Sequence, residues 1–316
     1  MDYSTKNRKE LLQCCKDKGI TGYSSKTKDQ LVELLQDSID EEKEIPFQQR
    51  VICGDTLKIL PTLASDSAQI VIADPPYNIG KDFGNSSDRQ PMKEYLEWCD
   101  SWIAECLRIL KPNGTMFIYG FSEILALILA RIPDTVHRRW IIWHYTNKNV
   151  ASLQFWQRSH ESILVLWKED KVFHRDEVRE PYTEGFLEGA AGKERANTKG
   201  RFSKGEKKTV YTAHPNGALP RDVIKIPALA GGAGMKERVD HPTQKPLVLC
   251  DKLLRSCKQN PEDGYVLVPF AGSGSECVAA KNLGLPFVGI ELNEEYVELI
   301  NTRLTQQTSE DLHRSQ

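Results

Sequence analysis

Residues 265–293 read YVLVPFAGSGSECVAAKNLGLPFVGIELN. The apolar run Tyr265–Val268 has the length and composition of a buried strand. Pro269 cannot donate a ladder hydrogen bond, so the strand stops there. Gly272 and Gly274 then mark a turn, Glu276 to Leu283 reads as a helix, and Pro286 to Ile290 reads as a second strand. Strand, glycine-rich turn, helix and strand together form the opening of a nucleotide-binding βαβ unit. The glycines let a ligand approach the backbone, and the helix N-terminus offers unpaired N–H groups. Glu291 closes the second strand seventeen residues after Gly274, where an acid can accept hydrogen bonds from a ribose diol. A dinucleotide fingerprint would place a third glycine where Cys277 stands, which argues against a nicotinamide-dependent oxidoreductase.

The same rhythm extends toward the N-terminus. Arg50 to Cys53 is a short strand ending in Gly54-Asp55, and Ile70 to Ala73 is a second one. Met92 to Leu110 is an amphipathic helix that Lys111-Pro112-Asn113-Gly114 is expected to stop. Thr115 to Tyr119 is a strand and Ser122 to Arg131 a helix, while Trp140 to His144 and Ser162 to Trp167 read as strands. After HPTQKP, residues 241–246, a helix covers Leu247 to Lys258, and Glu294 to Leu304 forms the last helix. Strands alternating with helices predict a mostly parallel sheet covered on both faces.

At residues 72–80, IADPPYNIG follows one of these buried strands. Two prolines make a stiff corner, with the Asp74 carboxylate before them and the Tyr77 ring after them. An isolated Asp-Pro-Pro-Tyr is also an ordinary turn with a ring covering the core.

Composition bounds the rest. The chain has 316 residues, 40% hydrophobic and 27% charged, with a formal net charge of −2. Any nucleic-acid contact must therefore rest on local positive charge. Residues 193–211, KERANTKGRFSKGEKKTVY, hold seven Lys or Arg against two Glu. They lie in a polar, glycine-rich stretch, residues 168–240, which is long for a loop and is expected to be functional or a solvated insert. The start lacks a signal-peptide core, and the longest apolar run, near Ile124 to Ile132, is too short to span a bilayer. No two of the eight cysteines form a C-x-x-C pair, so no metal site is expected and a reducing intracellular compartment is the natural home.

Residues 1–36 read as a separate module. Lys9 to Lys18 is helical and stops at Gly19, and Thr27-Lys28-Asp29-Gln30 fits a capping box before Leu31, Leu34 and Leu35. Residues 37–49 form an acidic linker. The pair of short helices resembles a SAP-like helix-turn-helix module, a class that commonly binds DNA. A helical cap or protein-docking tag is the alternative.

Taken in order, ADPPY, the variable stretch, HPTQKP, FAGSGS and GIELN resemble the β class of S-adenosylmethionine-dependent DNA amino-methyltransferases. The likeness spans about Arg50 to Leu304. It implies an α/β, Rossmann-like methyltransferase sheet, mostly parallel with an antiparallel edge hairpin, and a circularly permuted motif order. The catalytic core would be residues 50–167 and 241–306, with residues 168–240 as target-recognition insert and 307–316 as tail.

By this resemblance Asp74, Pro75, Pro76 and Tyr77 are catalytic. Asp74 and the Pro75 carbonyl would accept hydrogen bonds from the target amino group, and Tyr77 would stack on a flipped base. Phe270, Gly272, Ser273 and Gly274 would line the methionine and ribose side of S-adenosyl-L-methionine, with Glu291 on the ribose and Asn293 beside it. Asp55 would read the adenine, or cap a turn. Thr243, Gln244 and Lys245 would face the amino-acid end, and His241 either touches ligand or packs. Lys193, Arg195, Lys199, Arg201, Lys204, Lys207 and Lys208 would contact DNA phosphates. Trp140, Trp143 and Trp156 are expected in core or interface. Asp at position 74 favours adenine N6 over cytosine N4, and a catalytically inactive nucleic-acid-binding subunit is the remaining alternative. The implied partners are double-stranded DNA, a second copy of the chain and a cognate restriction nuclease, with no membrane and no metal.

Overall fold

The computed structural model describes residues 6–17, 23, 26–32, 49–81, 89–145, 147, 154–196, 199–200, 204–205 and 208–306. The chain divides into two compact units, Met1–Phe47 and Gln48–Gln316.

In the first unit the helix Arg8–Asp17 is capped by Asn7. Its Oδ1 accepts the N–H groups of Lys9 and Glu10, while the Asn7 N–H donates to Glu10. A second capping box joins Thr27 and Gln30, whose backbone N–H groups each donate to the other's side chain. Leu11, Cys15 and Leu31 form the buried centre, flanked by Leu12, Cys14, Tyr23 and Val32. Gly19, Leu34 and Leu35 fall outside the described residues, as do nearly all of the linker and the tail.

The second unit is built on an eight-stranded sheet. Its strands are β1 (Arg50–Cys53), β2 (Ala68–Ala73), β3 (Leu110–Gly120), β4 (His137–His144), β5 (His160–Trp167), β8 (Val223–Lys225), β9 (Tyr265–Val268) and β10 (Phe287–Glu291). A separate antiparallel ribbon pairs β6 (Glu194–Ala196) with β7 (Lys208–Val210). The spatial order is β1-β10-β9-β2-β3-β5-β4-β8. All pairings are parallel except those of β5, which runs against both β3 and β4. All six residues of β2 are buried, as expected for a central parallel strand covered on both faces. Its one polar side chain, Gln69, accepts from the Gln259 N–H and donates to the Gly264 carbonyl.

Two expectations change. Lys111-Pro112-Asn113-Gly114 does not separate helix from strand. The helix Met92–Ile109 passes directly into β3 at Leu110. The register jumps from Ala68↔Leu110 to Ile70↔Thr115, so these residues form a bulge that absorbs a proline without a donor. The hairpin β4–β5 is also not the sheet edge. Residues 168–240 supply β8, which pairs with β4 through Ile142↔Val223 to His144↔Lys225. A three-residue strand with one buried residue is too short to leave a periodic signal in the sequence.

The topology itself locates a crevice. From β9 the chain proceeds outward to β10, whereas from β2 it proceeds the other way to β3. The connections diverge between β9 and β2, and ligands in open α/β sheets bind at the carboxyl ends beside such a switch point. The corner at 74–77 and the turn at 270–275 leave these two adjacent strand ends.

Candidate active site

A cavity of about 450 Å³ opens there, bounded by Asp74–Tyr77 on one side and Phe270–Ser273 on the other. That volume is within the range of small-molecule sites.

The corner is held from several sides. Asn78 adopts φ +59°, and its side chain exchanges two hydrogen bonds with the Gln90 backbone. The Tyr95 hydroxyl donates to the Pro76 carbonyl at 2.8 Å. Asp74 accepts the Tyr77 hydroxyl on Oδ1 at 2.8 Å and the Lys245 ammonium on Oδ2 at 2.6 Å. Glu161, at the start of β5, joins this group. Its Oε2 lies 3.1 Å from the Tyr77 hydroxyl and 3.6 Å from Lys245 Nζ. One phenolic proton serves two carboxylates, so Tyr77 shares its donation between them. Burial, then the Asp74 and Glu161 charges, push the Tyr77 phenol well above its ordinary range and keep it a donor. Burial pulls the Lys245 ammonium down, but Asp74 and Glu161 outweigh it and the net shift is upward. Tyr77 packs edge-on to Phe121 with ring centres 5.1 Å apart.

The opposite wall is made of backbone. Gly272 has φ +49°, and a Cβ there would sit 3.0 Å from His241 Nε2. Its N–H donates to Glu291 Oε2 at 2.7 Å, while the Asn293 N–H donates to Oε1 at 2.9 Å. Burial raises the Glu291 carboxyl above its usual range. His241 is pushed down to about 4 by burial, so it is neutral at pH 7. Its Nδ1 accepts the Thr243 N–H, which assigns the proton to Nε2. Arg303 supports the turn from behind, donating to the Ser273 carbonyl. Phe270 packs against Trp98 and Trp102.

The cavity thus gathers Asp74, Pro75, Pro76, Tyr77, Asp55, Thr243, Lys245, Phe270, Gly272, Ser273 and Glu291. Asp55 also accepts the Leu57 N–H and caps a short helix, so cap and cavity wall coexist. Lys245 reaches the cavity with its ammonium already paired to the Asp74 carboxylate. Three expected residues take other places. Gln244 spends its amide on Val239 and Glu237. Gly274, at φ +77°, packs against Ile300. Asn293 accepts the Glu295 N–H at the start of the last helix. None of the three lines the cavity. Sequence reasoning missed Glu161 and Glu276. Their one signal is an acid placed inside an apolar element.

The expected DNA contacts are exposed, and several are locally engaged. Lys208 pairs with Glu194 at 3.2 Å, Lys193 donates to the Glu188 carbonyl and Arg195 to that of Gly189. Lys199 and Lys204 are exposed, while Arg201 and Lys207 lie outside the described residues. Trp143 is buried and bonds the Ile226 carbonyl, and Trp140 bonds Ser162. Trp156, expected in core or interface, is not in the core: it is 87% exposed, beside Phe155 at 79%.

Among known proteins, the chain is 32% identical over 258 residues to the DNA adenine methyltransferase YhdJ of Escherichia coli, spanning 80% of this chain and 82% of that one. It is 30% identical over 263 residues to the type II methyltransferase M.HpaI of Haemophilus parainfluenzae, covering 82% and 74%. The solved structure of the cytosine-N4-specific PvuII DNA methyltransferase superposes with a TM-score of 0.56 at 15% identity, covering 84% of this chain and 90% of that one. That likeness is one of fold. The family profile described as DNA methylase, of the N6 and N4 type, matches residues 68–302, and the chain belongs to that family.

Proposed function

We propose that the protein transfers a methyl group from S-adenosyl-L-methionine to the N6 amino group of adenine in duplex DNA. The observation that carries this reading is the single cavity shared by the Asp74 corner and the Gly272 turn. The adenine preference is supported by Asp at position 74 and by the relative named as an adenine methyltransferase.

The residues fit the cofactor. Gly272 lines the cavity with bare backbone, and Glu291 retains lone pairs for a ribose diol. Acids outnumber cations along the wall, with Asp55, Asp74, Glu276 and Glu291 against Arg89 and Lys245, which suits a cationic ligand. When bound, the cofactor supplies an electrophilic methyl group on a sulfonium. Asp74 accepts an N–H of the target amino group, favouring a pyramidal nitrogen whose lone pair is available. Tyr77 and Lys245 hold the carboxylate in one orientation, supplying the positioning on which such transfer depends. After transfer the amino nitrogen carries an extra proton, and Asp74 is the base in the corner that takes it. The base reaches the cavity only if flipped from the duplex. Residues 168–240 contact the phosphates, and the exposed Phe155 and Trp156 give the nucleic acid an aromatic surface.

The test is transfer of tritiated methyl groups to unmethylated DNA followed by nucleoside analysis, with N6-methyladenine expected. Label only in N4-methylcytosine sinks the base assignment. Cofactor binding without any transfer indicates the inactive subunit. The N-terminal unit adds DNA affinity in this reading. Removing residues 1–44 is expected to leave methyl transfer to short duplexes intact and to weaken DNA binding in a gel-shift titration. Unchanged affinity would instead identify a docking tag.

A further inference from the structure

Glu276 has no part in the chemistry above, yet it lines the same cavity. It stands in the first turn of the helix Ser275–Asn282 and is 3% exposed. A carboxylate so deeply buried is costly unless it is paired and hydrogen-bonded. The Glu276 carboxylate accepts the Cys250 thiol at 3.5 Å, a weak donor, and the residue's own backbone N–H.

Two cations, Lys245 and Arg303, act on Glu276 through space, and among the described residues neither forms an ion pair with it. Lys245 pairs with Asp74 and Glu161. Arg303 donates to the Ser273 carbonyl and the Ser275 hydroxyl. The remaining charged or titratable neighbours do not neutralise an anion. Asp74 faces Glu276 from the corner after β2, Tyr119 from β3, and Cys250 from the helix Leu247–Cys257, with Glu237 beyond them. Burial first, then the Asp74 charge, raise the Glu276 carboxyl to about 7. The acid is thus a buried group with no ion pair of its own among the described residues, and its charged neighbours on the cavity wall are Asp74 and Lys245 rather than Glu291.

From this arrangement we infer that Glu276 receives the ammonium of the cofactor's amino-acid end. The inference rests on the S-adenosylmethionine reading of the cavity. It adds an acid on the glycine-turn helix to Thr243, Gln244 and Lys245, which the sequence directs to the same amino-acid end. Binding then has a proton balance. A protonated Glu276 releases its proton to solvent, and the resulting carboxylate pairs with the ligand's ammonium, which keeps all of its own protons.

Isothermal titration of the full chain at pH 6.5, in buffers of differing ionisation enthalpy, reads that proton directly. The probes are S-adenosylmethionine, S-adenosylhomocysteine and 5′-methylthioadenosine, the last without an amino-acid end. The wild type is expected to release most of one proton with the first two ligands and none with the third. Glu276→Gln keeps the shape of the side chain and removes its charge. It should abolish the release and weaken the first two ligands by on the order of tenfold or more, leaving methylthioadenosine unchanged. Equal proton release in the variant, or equal weakening of all three ligands, overturns the assignment while leaving the cofactor reading in place. A wild type that binds none of the three overturns the cofactor reading and this inference with it.

Discussion

Two turns leave neighbouring strands of the same sheet and solve opposite problems. The corner after β2 is stiffened by Pro75 and Pro76, and its working atoms belong to side chains. Asp74 is gripped by Tyr77 and Lys245, and Glu161 reinforces both. The turn after β9 is stripped of side chains at Gly272, and what it presents is backbone, fixed by Glu291 and Arg303. Where charge must be aimed, the chain spends prolines and ion pairs. Where a ligand must come close, it spends glycine in a left-handed conformation.

The sharpest break of this comparison is Asp74→Ala. If the corner works through its carboxylate, methyl transfer falls by about 10³-fold. Cofactor affinity, measured by calorimetry, stays within about tenfold, roughly 1.4 kcal/mol. Loss of both together would place Asp74 in the cofactor site or in folding. Next in size is Gly274→Ala. A Cβ there would lie 2.8 Å from two carbons of Ile300 at φ +77°. The expected loss is about 2–3 kcal/mol of stability, from left-handed strain and overpacking, seen as a lower melting temperature. Gly272→Ala should show the reverse balance. Among the described residues a Cβ there would meet the His241 ring at 3.0 Å, so stability falls by about 1–2 kcal/mol from left-handed strain, while cofactor affinity drops about tenfold as that ring is displaced at the cavity wall. If both alanines affect only stability, the turn is structural and the contrast between the two walls fails. Smaller still is Trp156→Ala, expected to weaken DNA binding by about 1–3 kcal/mol and to leave cofactor titration unchanged.

What the sequence made legible was local. The β9–turn–helix–β10 unit and the corner at 74–77 each occupy fewer than thirty consecutive residues, and proline, glycine and apolar runs announce them. Glu291 was readable because its distance from Gly274 is set by one helix and one strand. The grip on Asp74 was not readable. Tyr77 meets Glu161 across 84 residues and Asp74 meets Lys245 across 171, and no periodicity records contacts made across a sheet. The sequence therefore directed Lys245 to the cavity without showing that its ammonium meets Asp74 there. Gln244 looked equally functional because it shares the HPTQKP stretch, yet its amide closes the loop onto Glu237 and Val239. The bulge at Lys111–Gly114 misled for a related reason: a Lys-Pro-Asn-Gly run signals a break in local structure, but not whether the strand resumes on either side of it.

The smallest effect separates two titrating groups at the turn wall, Glu276 buried and His241 partly buried. Glu276 is raised from 4.5 to about 7, and His241 is lowered from 6.5 to about 4, burial being the first cause of each. The folded protein holds the Glu276 proton more tightly than the unfolded chain does. That contribution to stability is whole below about pH 4.5 and is lost as pH rises to 7. His241 has the opposite sign. Its proton binds more tightly to the unfolded chain, so stability is whole above about pH 6.5 and is lost as pH falls toward 4. Between pH 4.5 and 6.5 the two slopes oppose each other. Glu276→Gln removes one of them, so the melting temperature of the variant should climb more steeply with pH across that window than the wild type's. The added change is on the order of 2–4 °C, if roughly 1 kcal/mol of the linkage survives relaxation around the site. His241→Gln should tilt the curve the other way. Parallel curves for wild type and both variants would mean that solvent reaches these groups freely, and the glycine wall would then lack the dry interior that distinguishes it from the corner.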